Sequence, residues 1–110
     1  MASGSANVTY YSTIAAVSTV ETVTLQAFFP SVIVTNRQAT SPAEIYFTTD
    51  GSVPLVGGDN TFMVPAVTGA RVVVANRAGA TNTKTVVNLI SIGTPAYSVE
   101  GQTVFEGIDA

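Results

Sequence analysis

The chain has 110 residues, of which 46% are hydrophobic and only 10% charged, and it contains no cysteine, histidine or tryptophan. A typical soluble domain spends about a quarter of its residues on charged side chains, so much of this surface is expected to be neutral or covered by another chain. The missing residues exclude thiolate metal sites, cysteine nucleophiles and the commonest general base. With a net charge of -3 and four scattered cations, nucleic acid is not expected as a partner. A membrane is not expected either, since no apolar run approaches ~20 residues.

The first 27 residues form a segment of distinct character. Residues 1–20 carry no charge and are rich in Ser, Thr, Ala and Val. This composition is too apolar for a solvated disordered tail, and it lacks the basic start of an export signal. We expect residues 1–27 to be extended and paired. They form either one more edge strand of the same domain or an arm that adds a strand to a neighbouring subunit.

Six short runs of β-branched and aromatic residues occur along the chain, separated by turn residues. Val, Thr and Ile make up more than a third of the sequence, and these residues suit a pleated strand better than a helix. The runs cover residues 31–37, 43–50, 60–65, 70–76, 84–92 and 103–107. Strands of this length and spacing predict an all-β fold. The expected architecture is a single antiparallel β-sandwich, immunoglobulin-like, over residues 28–110 with an extended N-terminal arm.

Alternation along a strand predicts which side chains face the core. In the run 43–50, Ile45 and Phe47 share one face, and Tyr46 and Thr48 share the other. We expect Ile45 and Phe47 to lie in the core. The run 84–92 is apolar on both faces, so its inward set is open: Val87 and Leu89, or Val86, Ile90 and Ile92.

Residues 45–54 read IYFTTDGSVP. This segment is similar to the signature of the small immunoglobulin-like module at the carboxyl end of chitobiase-type glycosidases. In that module a core strand runs into a tight turn, for which an Asp-Gly pair supplies a short polar side chain and a permissive backbone. The module is an accessory to a catalytic domain, and no catalytic residue of the glycosidases maps onto this chain. Ile45, Phe47, Asp50 and Gly51 are therefore interpreted as determinants of the fold and the turn.

A wider resemblance covers two segments. Residues 35–66, TNRQATSPAEIYFTTDGSVPLVGGDNTFMVPA, and residues 89–101, LISIGTPAYSVEG, resemble small virion proteins of tailed phages of actinobacteria. The resemblance implies a non-enzymatic structural role such as capsid decoration. The protein would then be located in the virion, after assembly in the host cytoplasm, with the major capsid protein as its partner. We also expect a small symmetric homo-oligomer, with a trimer favoured, and a free-standing gene product.

Six residues are candidates for a subunit interface. They comprise two aromatic pairs and two arginines that each follow an asparagine: Tyr10, Tyr11, Phe28, Phe29, Arg37 and Arg77. Alternation prevents Tyr10 and Tyr11 from facing the same interior, so one of them is expected to be exposed or in an interface. Half of the aromatic residues are expected to fill the core. The arginines are expected either to solubilise the surface or to anchor an interface.

Neither catalysis nor a cofactor is expected. Lys84 lies in no motif that would activate a hydroxyl nucleophile, and the chain contains no phosphate loop. Asp50 and Asp59 lie beside Gly or Asn and are interpreted as turn formers, with a calcium site as the alternative.

Two other functions remain open on the sequence. One is a carbohydrate- or receptor-binding module of a tail or fibre, which would use aromatic side chains such as Tyr46 and Tyr97. The other is a tail-tube or connector component, whose strands would pair between subunits in a ring.

Overall fold

The computed structural model of the chain describes residues 5–13, 19–79, 83–92 and 96–104. These residues form eight strands and no helix: β1 (Ser5–Thr13), β2 (Glu21–Thr24), β3 (Ser31–Asn36), β4 (Ile45–Thr48), β5 (Phe62–Val64), β6 (Arg71–Ala75), β7 (Val86–Ser91) and β8 (Ala96–Val104). The strands build two four-stranded sheets. The predicted all-β sandwich is confirmed.

The first sheet, sheet A, has the strand order β1-β8-β3-β6, and the second, sheet B, has the order β2-β7-β4-β5. All pairings are antiparallel. Among the described strands, only β4 and β5 are consecutive within one sheet, and every other connection crosses to the opposite sheet. The segment 1–27 contributes an edge strand to each sheet, since β1 pairs with β8 and β2 pairs with β7.

The last strand differs from the prediction. The sequence predicts a strand at 103–107, whereas β8 covers Ala96–Val104 and residues 105–107 lie outside the described part of the chain. Gly101 weakens the sequence signal in this strand, and the structure requires a small residue there. A Cβ atom at Gly101 would come within 2.4 Å of Leu25 Cδ1 and 2.6 Å of Phe29 Cδ2. The missing side chain lets Leu25 and Phe29 pack directly on β8.

The core lies between the two sheets. Ile45 and Phe47 are fully buried, as the alternation predicts. In β7 the inward set is Val87 and Leu89, both fully buried, while Ile92 is exposed. The core cluster also contains side chains from β2, β3, β5, β8 and the β2–β3 connection: Val23, Leu25, Phe29, Val32, Val34, Val64, Tyr97 and Val99.

Two asparagines mark opposite ends of the β3–β6 pair. The backbone N–H of Asn36 bonds to the Ala70 carbonyl at 2.8 Å, and that of Asn76 bonds to the Pro30 carbonyl at 2.9 Å. We call these ends of the sandwich the Asn36 end and the Asn76 end. The Asn36 end carries the connections 37–44 and 65–70, and the Asn76 end carries residues 25–30, 49–61, 76–79 and 83–85.

Candidate interaction surfaces

The described residues expose several large apolar side chains. They enclose no pocket, and they bring together no group of three or more metal-ligating side chains. None of their segments is a helix long and apolar enough to cross a membrane. The exposed apolar side chains are Tyr10, Val20, Val53, Leu55, Val56, Met63, Val67, Val73 and Ile92.

Three of these side chains belong to one loop, the β4–β5 loop at the Asn76 end. Val53, Leu55 and Val56 are 59%, 61% and 67% exposed, and we call them the aliphatic tip. The N–H of Gly58 closes the tip by bonding to the Leu55 carbonyl at 2.8 Å. Single exposed apolar residues are ordinary, whereas a group of them marks a contact site.

Asp50 holds the base of this loop. Its Oδ1 accepts hydrogen bonds from the Ser52 N–H at 3.0 Å and the Ser52 hydroxyl at 2.5 Å, and its Oδ2 accepts one from Asn60 Nδ2 at 3.0 Å. The hydrogen bonds that Asp50 accepts lower its pKa, and the bond from the Ser52 hydroxyl has the largest effect. Gly51 has a positive φ of 87°, a conformation that suits glycine. Both oxygens of Asp50 therefore hold the turn, the role that the sequence predicts for Asp50 and Gly51.

Arg77 braces the same loop from the β6–β7 connection. Its guanidinium carbon lies 5.4 Å from the centre of the Phe62 ring. Its Nη1 donates to Asn60 Oδ1 at 3.2 Å, and its backbone N–H donates to Thr49 Oγ1 at 2.9 Å. Sequence reasoning missed this role, because Asn60 and Phe62 come from a different loop and strand. In the folded chain Arg77 therefore contacts the β4–β5 loop of its own chain.

The loop is also fixed to the outer face of sheet B. The Ser52 carbonyl accepts hydrogen bonds from Thr48 Oγ1 at 2.6 Å and Asn88 Nδ2 at 3.0 Å, and Thr22 Oγ1 donates to Asn88 Oδ1 at 2.7 Å. Thr48 lies on the face opposite Ile45 and Phe47, as predicted, yet it is fully buried. The loop folds back over Thr48 and covers it.

The four aromatic interface candidates have different environments. Phe29 is a core residue, only 3% exposed, and its N–H bonds to Thr85 Oγ1 at 2.8 Å. Phe29 packs on Gly101, and it therefore presents no surface to a partner in this fold. Phe28 is half-buried and Tyr10 is 37% exposed. The Tyr11 backbone pairs with Ser98 in β1–β8, and the Tyr11 side chain lies outside the described part of the structure.

The two tyrosines considered for carbohydrate contacts form no aromatic platform. Tyr97 is fully buried in the core, and burial raises the pKa of its hydroxyl. In this fold the Tyr97 side chain is therefore not accessible for direct contact with a glycan. The Tyr46 hydroxyl donates to the Glu44 carboxylate, and this hydrogen bond raises the pKa of Tyr46.

Arg37 lies at the opposite end of the sandwich from Arg77. It is exposed, and its backbone N–H donates to the Ala96 carbonyl at 3.0 Å. The preceding residue, Asn36, is fully buried, and its side-chain amide donates to the Ala43 carbonyl at 2.9 Å and the Pro65 carbonyl at 3.0 Å. The two Asn-Arg pairs of the sequence are thus separated by the full length of the sandwich.

The edges of the two sheets are candidate surfaces of a second kind. The edges are β1 and β6 in sheet A, and β2 and β5 in sheet B. β1 is nine residues long, with the sequence SANVTYYST, and contains no charge, proline or glycine. The other three are shorter: β2 has four residues, β5 three and β6 five. β1 is therefore the longest edge in the described part of the chain.

The fold and these surfaces define a small β-sandwich domain with a braced apolar loop and one long uncharged edge. Comparisons with known proteins identify no relative: no protein-family model matches the chain, and no curated protein or solved structure gives a significant match.

Proposed function

We propose that the protein is a non-enzymatic structural subunit of a virion that decorates the outside of a phage head and stabilises it. The observation that carries the proposal is the aliphatic tip, whose three side chains are all more than half exposed. Asp50 and Arg77 hold the loop in place, so a partner that covers the tip orders few additional groups. Exposed apolar groups of this kind are typical of protein contact sites.

The resemblance of residues 35–66 to small phage virion proteins supports the head as the partner, and this segment contains the whole loop. The low charge of 10% supports it as well, because the centres of protein interfaces are depleted in charged residues. The tip would enter an apolar recess between major capsid protein subunits. The area buried at that seam would oppose the internal pressure of a filled head.

Head decoration is preferred here to the other two functions considered. A carbohydrate-binding site favours exposed aromatic rings, whereas the tip is aliphatic and Tyr97 is buried. A tail-tube component would occupy the tail and not the head. The location of the protein in the particle therefore distinguishes a tail-tube component from a head decoration protein.

The test uses phage heads assembled without this protein. Purified wild-type protein is mixed with the heads, and binding is measured by co-sedimentation and located by electron microscopy. The tip variant carries V53S, L55S and V56S together. The control variant carries V67S and V73S, at positions that are 58% and 61% exposed but lie outside the tip.

We expect the wild type and the control to bind the outside of the head and to raise its resistance to heat. The tip variant should bind at least about tenfold more weakly, because burial of each aliphatic side chain contributes about 1 kcal/mol or more. Equal unfolding temperatures of the three isolated proteins would show that the fold is retained. Wild-type protein that fails to bind heads, or that occupies only the tail, contradicts the proposal.

A further inference from the structure

The edges of the two sheets differ in how well they are protected against pairing with another strand. β2 begins at Glu21, β5 is followed by Pro65, and β6 begins at Arg71. Short length, charge and proline are the usual devices that prevent edge pairing. β1 carries none of them over its nine residues. In the described part of the chain it pairs only with β8, which leaves one row of backbone donors and acceptors for another strand.

We propose that β1 pairs with β1 of a second copy of this chain. The two strands run antiparallel about a two-fold axis, and the two four-stranded sheets A become one continuous eight-stranded sheet. This contact goes beyond the proposed attachment to a head and does not involve the aliphatic tip. It makes the preferred assembly a two-fold dimer and not a trimer.

Symmetry determines the register of this contact. A two-fold axis at Thr9, the middle residue of β1, pairs all nine residues, whereas an axis at Val8 or Tyr10 leaves two unpaired at the strand ends. With the axis at Thr9, position 8 pairs with position 10 of the second copy and Thr9 pairs with Thr9. This register keeps residues of the same face together, as a continuous sheet requires.

The sequence of β1 suits a copy of itself. Self-pairing about a two-fold axis brings residues near the axis close to their own counterparts, so a charge there would meet a like charge. β1 has no charged residue, and a Thr–Thr pair across two strands is favourable. Tyr10 pairs with the core residue Val99, yet it remains 37% exposed at the margin of the sandwich. A second β1 would lie beside this margin and cover part of the ring.

The first experiment detects the contact without weakening it. The chain has no cysteine, so T9C introduces a single thiol, and residues directly opposite each other in an antiparallel pair have Cα atoms about 4.5 to 5.5 Å apart. That separation fits a disulfide. We expect T9C to form covalent dimers on mild oxidation. The control T24C, at an exposed threonine on the β2 edge, should not. Equal cross-linking of the two variants overturns the proposal.

The second experiment disrupts the contact and then restores it. Thr9 lies opposite Glu100 in its own chain, so T9E brings four carboxylates together around the two-fold axis. We expect wild-type protein and T24E to be dimers in sedimentation equilibrium, and T9E to dissociate with a Kd at least about tenfold higher. An equimolar mixture of T9E and T9K should restore dimers, since opposite charges then meet at the axis.

The outcomes are distinct from those of the head-binding test. Monomeric wild-type protein at all concentrations overturns the β1 contact, whether or not the protein binds heads. A trimer, or a dimer that T9E and T24E weaken equally, overturns it as well. Head binding that is lost with the tip variant while the T9C cross-link persists would support both proposals independently.

Discussion

The two ends of the sandwich use the same dipeptide, Asn-Arg, in different ways. At the Asn36 end the asparagine is fully buried, and its side chain bonds to backbone groups of neighbouring connections. At the Asn76 end the asparagine is half-buried, and the following Arg77 braces a loop that exposes three aliphatic side chains. The comparison shows that one amide holds together the connections at its end of the sandwich, whereas the other precedes the arginine that braces an exposed loop.

The Asn36 end contains a compact network of amide hydrogen bonds. Gln38 Nε2 donates to the Ala43 carbonyl at 2.8 Å, and the Ala43 N–H donates to Gln38 Oε1 at 2.9 Å. The Gln38 N–H in turn bonds to Asn36 Oδ1 at 3.0 Å. Buried polar groups are costly unless they are paired, and these groups satisfy one another. The network fixes the path of the β3–β4 connection.

At the Asn76 end the asparagine itself is only half-buried. Asn76 Nδ2 donates to the Phe29 carbonyl and to Thr85 Oγ1, both at 2.9 Å, and the Ala78 N–H donates to Asn76 Oδ1 at 2.8 Å. Water can reach this half-buried amide. A change here is therefore expected to cost less than a change at the Asn36 end.

N36A should have the largest effect on stability. It leaves the Gln38 N–H without its buried acceptor, and it removes one hydrogen bond from each of the Ala43 and Pro65 carbonyls, which keep their bonds from Gln38 Nε2 and the Val67 N–H. An orphaned buried donor costs about 1 to 3 kcal/mol, and each lost hydrogen bond adds about 1 kcal/mol. We expect the free energy of unfolding to fall by about 3 kcal/mol, measured by urea denaturation. A loss no greater than that of N76A would show that the two ends do not differ.

G101A should have the next largest effect and acts on the packing at the Asn76 end. The added Cβ would meet Leu25 and Phe29 at less than 3 Å. Overpacking of this kind costs about 1 to 3 kcal/mol, and we expect a loss of about 2 kcal/mol. Thermal unfolding of G101A, L25A and the double variant G101A/L25A measures the loss of stability. The double variant should lose less than the sum of the two single changes, because the smaller side chain makes room for the methyl group.

N76A should have a smaller effect, about 1 kcal/mol, because solvent can replace part of what the half-buried amide provides. The sharper measurement is backbone hydrogen exchange. Exchange at Ala78, whose N–H bonds to Asn76, should accelerate while exchange in β3 and β8 stays slow. Faster exchange throughout both sheets would mean that Asn76 supports the whole fold and not one connection.

D50N should have the smallest effect, present at neutral pH and lost in strong acid. The pKa of Asp50 is lowered in the folded chain, first by the Ser52 hydroxyl, so its ionised form stabilises the fold above the unfolded pKa of about 3.9. That contribution is lost as the pH falls through the lower, folded pKa. The stability of D50N should therefore decline less than that of the wild type between neutral pH and strong acid. Parallel pH profiles would show that Asp50 does not brace the loop electrostatically.

Local patterns predicted the parts of the fold that depend on near neighbours. Alternation identified Ile45 and Phe47 as core residues, and the Asp50-Gly51 pair marked a turn that the structure contains. β7 could not be oriented from its sequence, because both of its faces are apolar. Packing against the opposite sheet decides between them, and that information lies in other strands.

Long-range contacts explain what the sequence concealed. In the sequence Gly101 weakens the prediction of a strand. In the structure it is needed because Leu25 and Phe29 pack directly over it. The sequence predicts Arg77 as a surface charge or an interface anchor. Its contacts with Phe62 and Asn60, which come from another part of the chain, are shown only by the structure. The aliphatic tip is also missed, since the sequence predicts turn formers and a possible calcium site in its loop and no apolar contact. The β1 edge is different, because the sequence predicts residues 1–27 as an edge strand or an arm that pairs with a neighbouring subunit.

The pairing of β1 with β8 has a consequence for how the protein folds. Ser5 lies opposite Val104, so the edge of sheet A forms only after both β1 and β8 have left the ribosome. Contacts between residues so distant in sequence make folding slow, on a scale of milliseconds to seconds. During that interval β1 has neither β8 nor a second copy beside it. Synthesis of β8 thus controls when this uncharged strand is first sheltered.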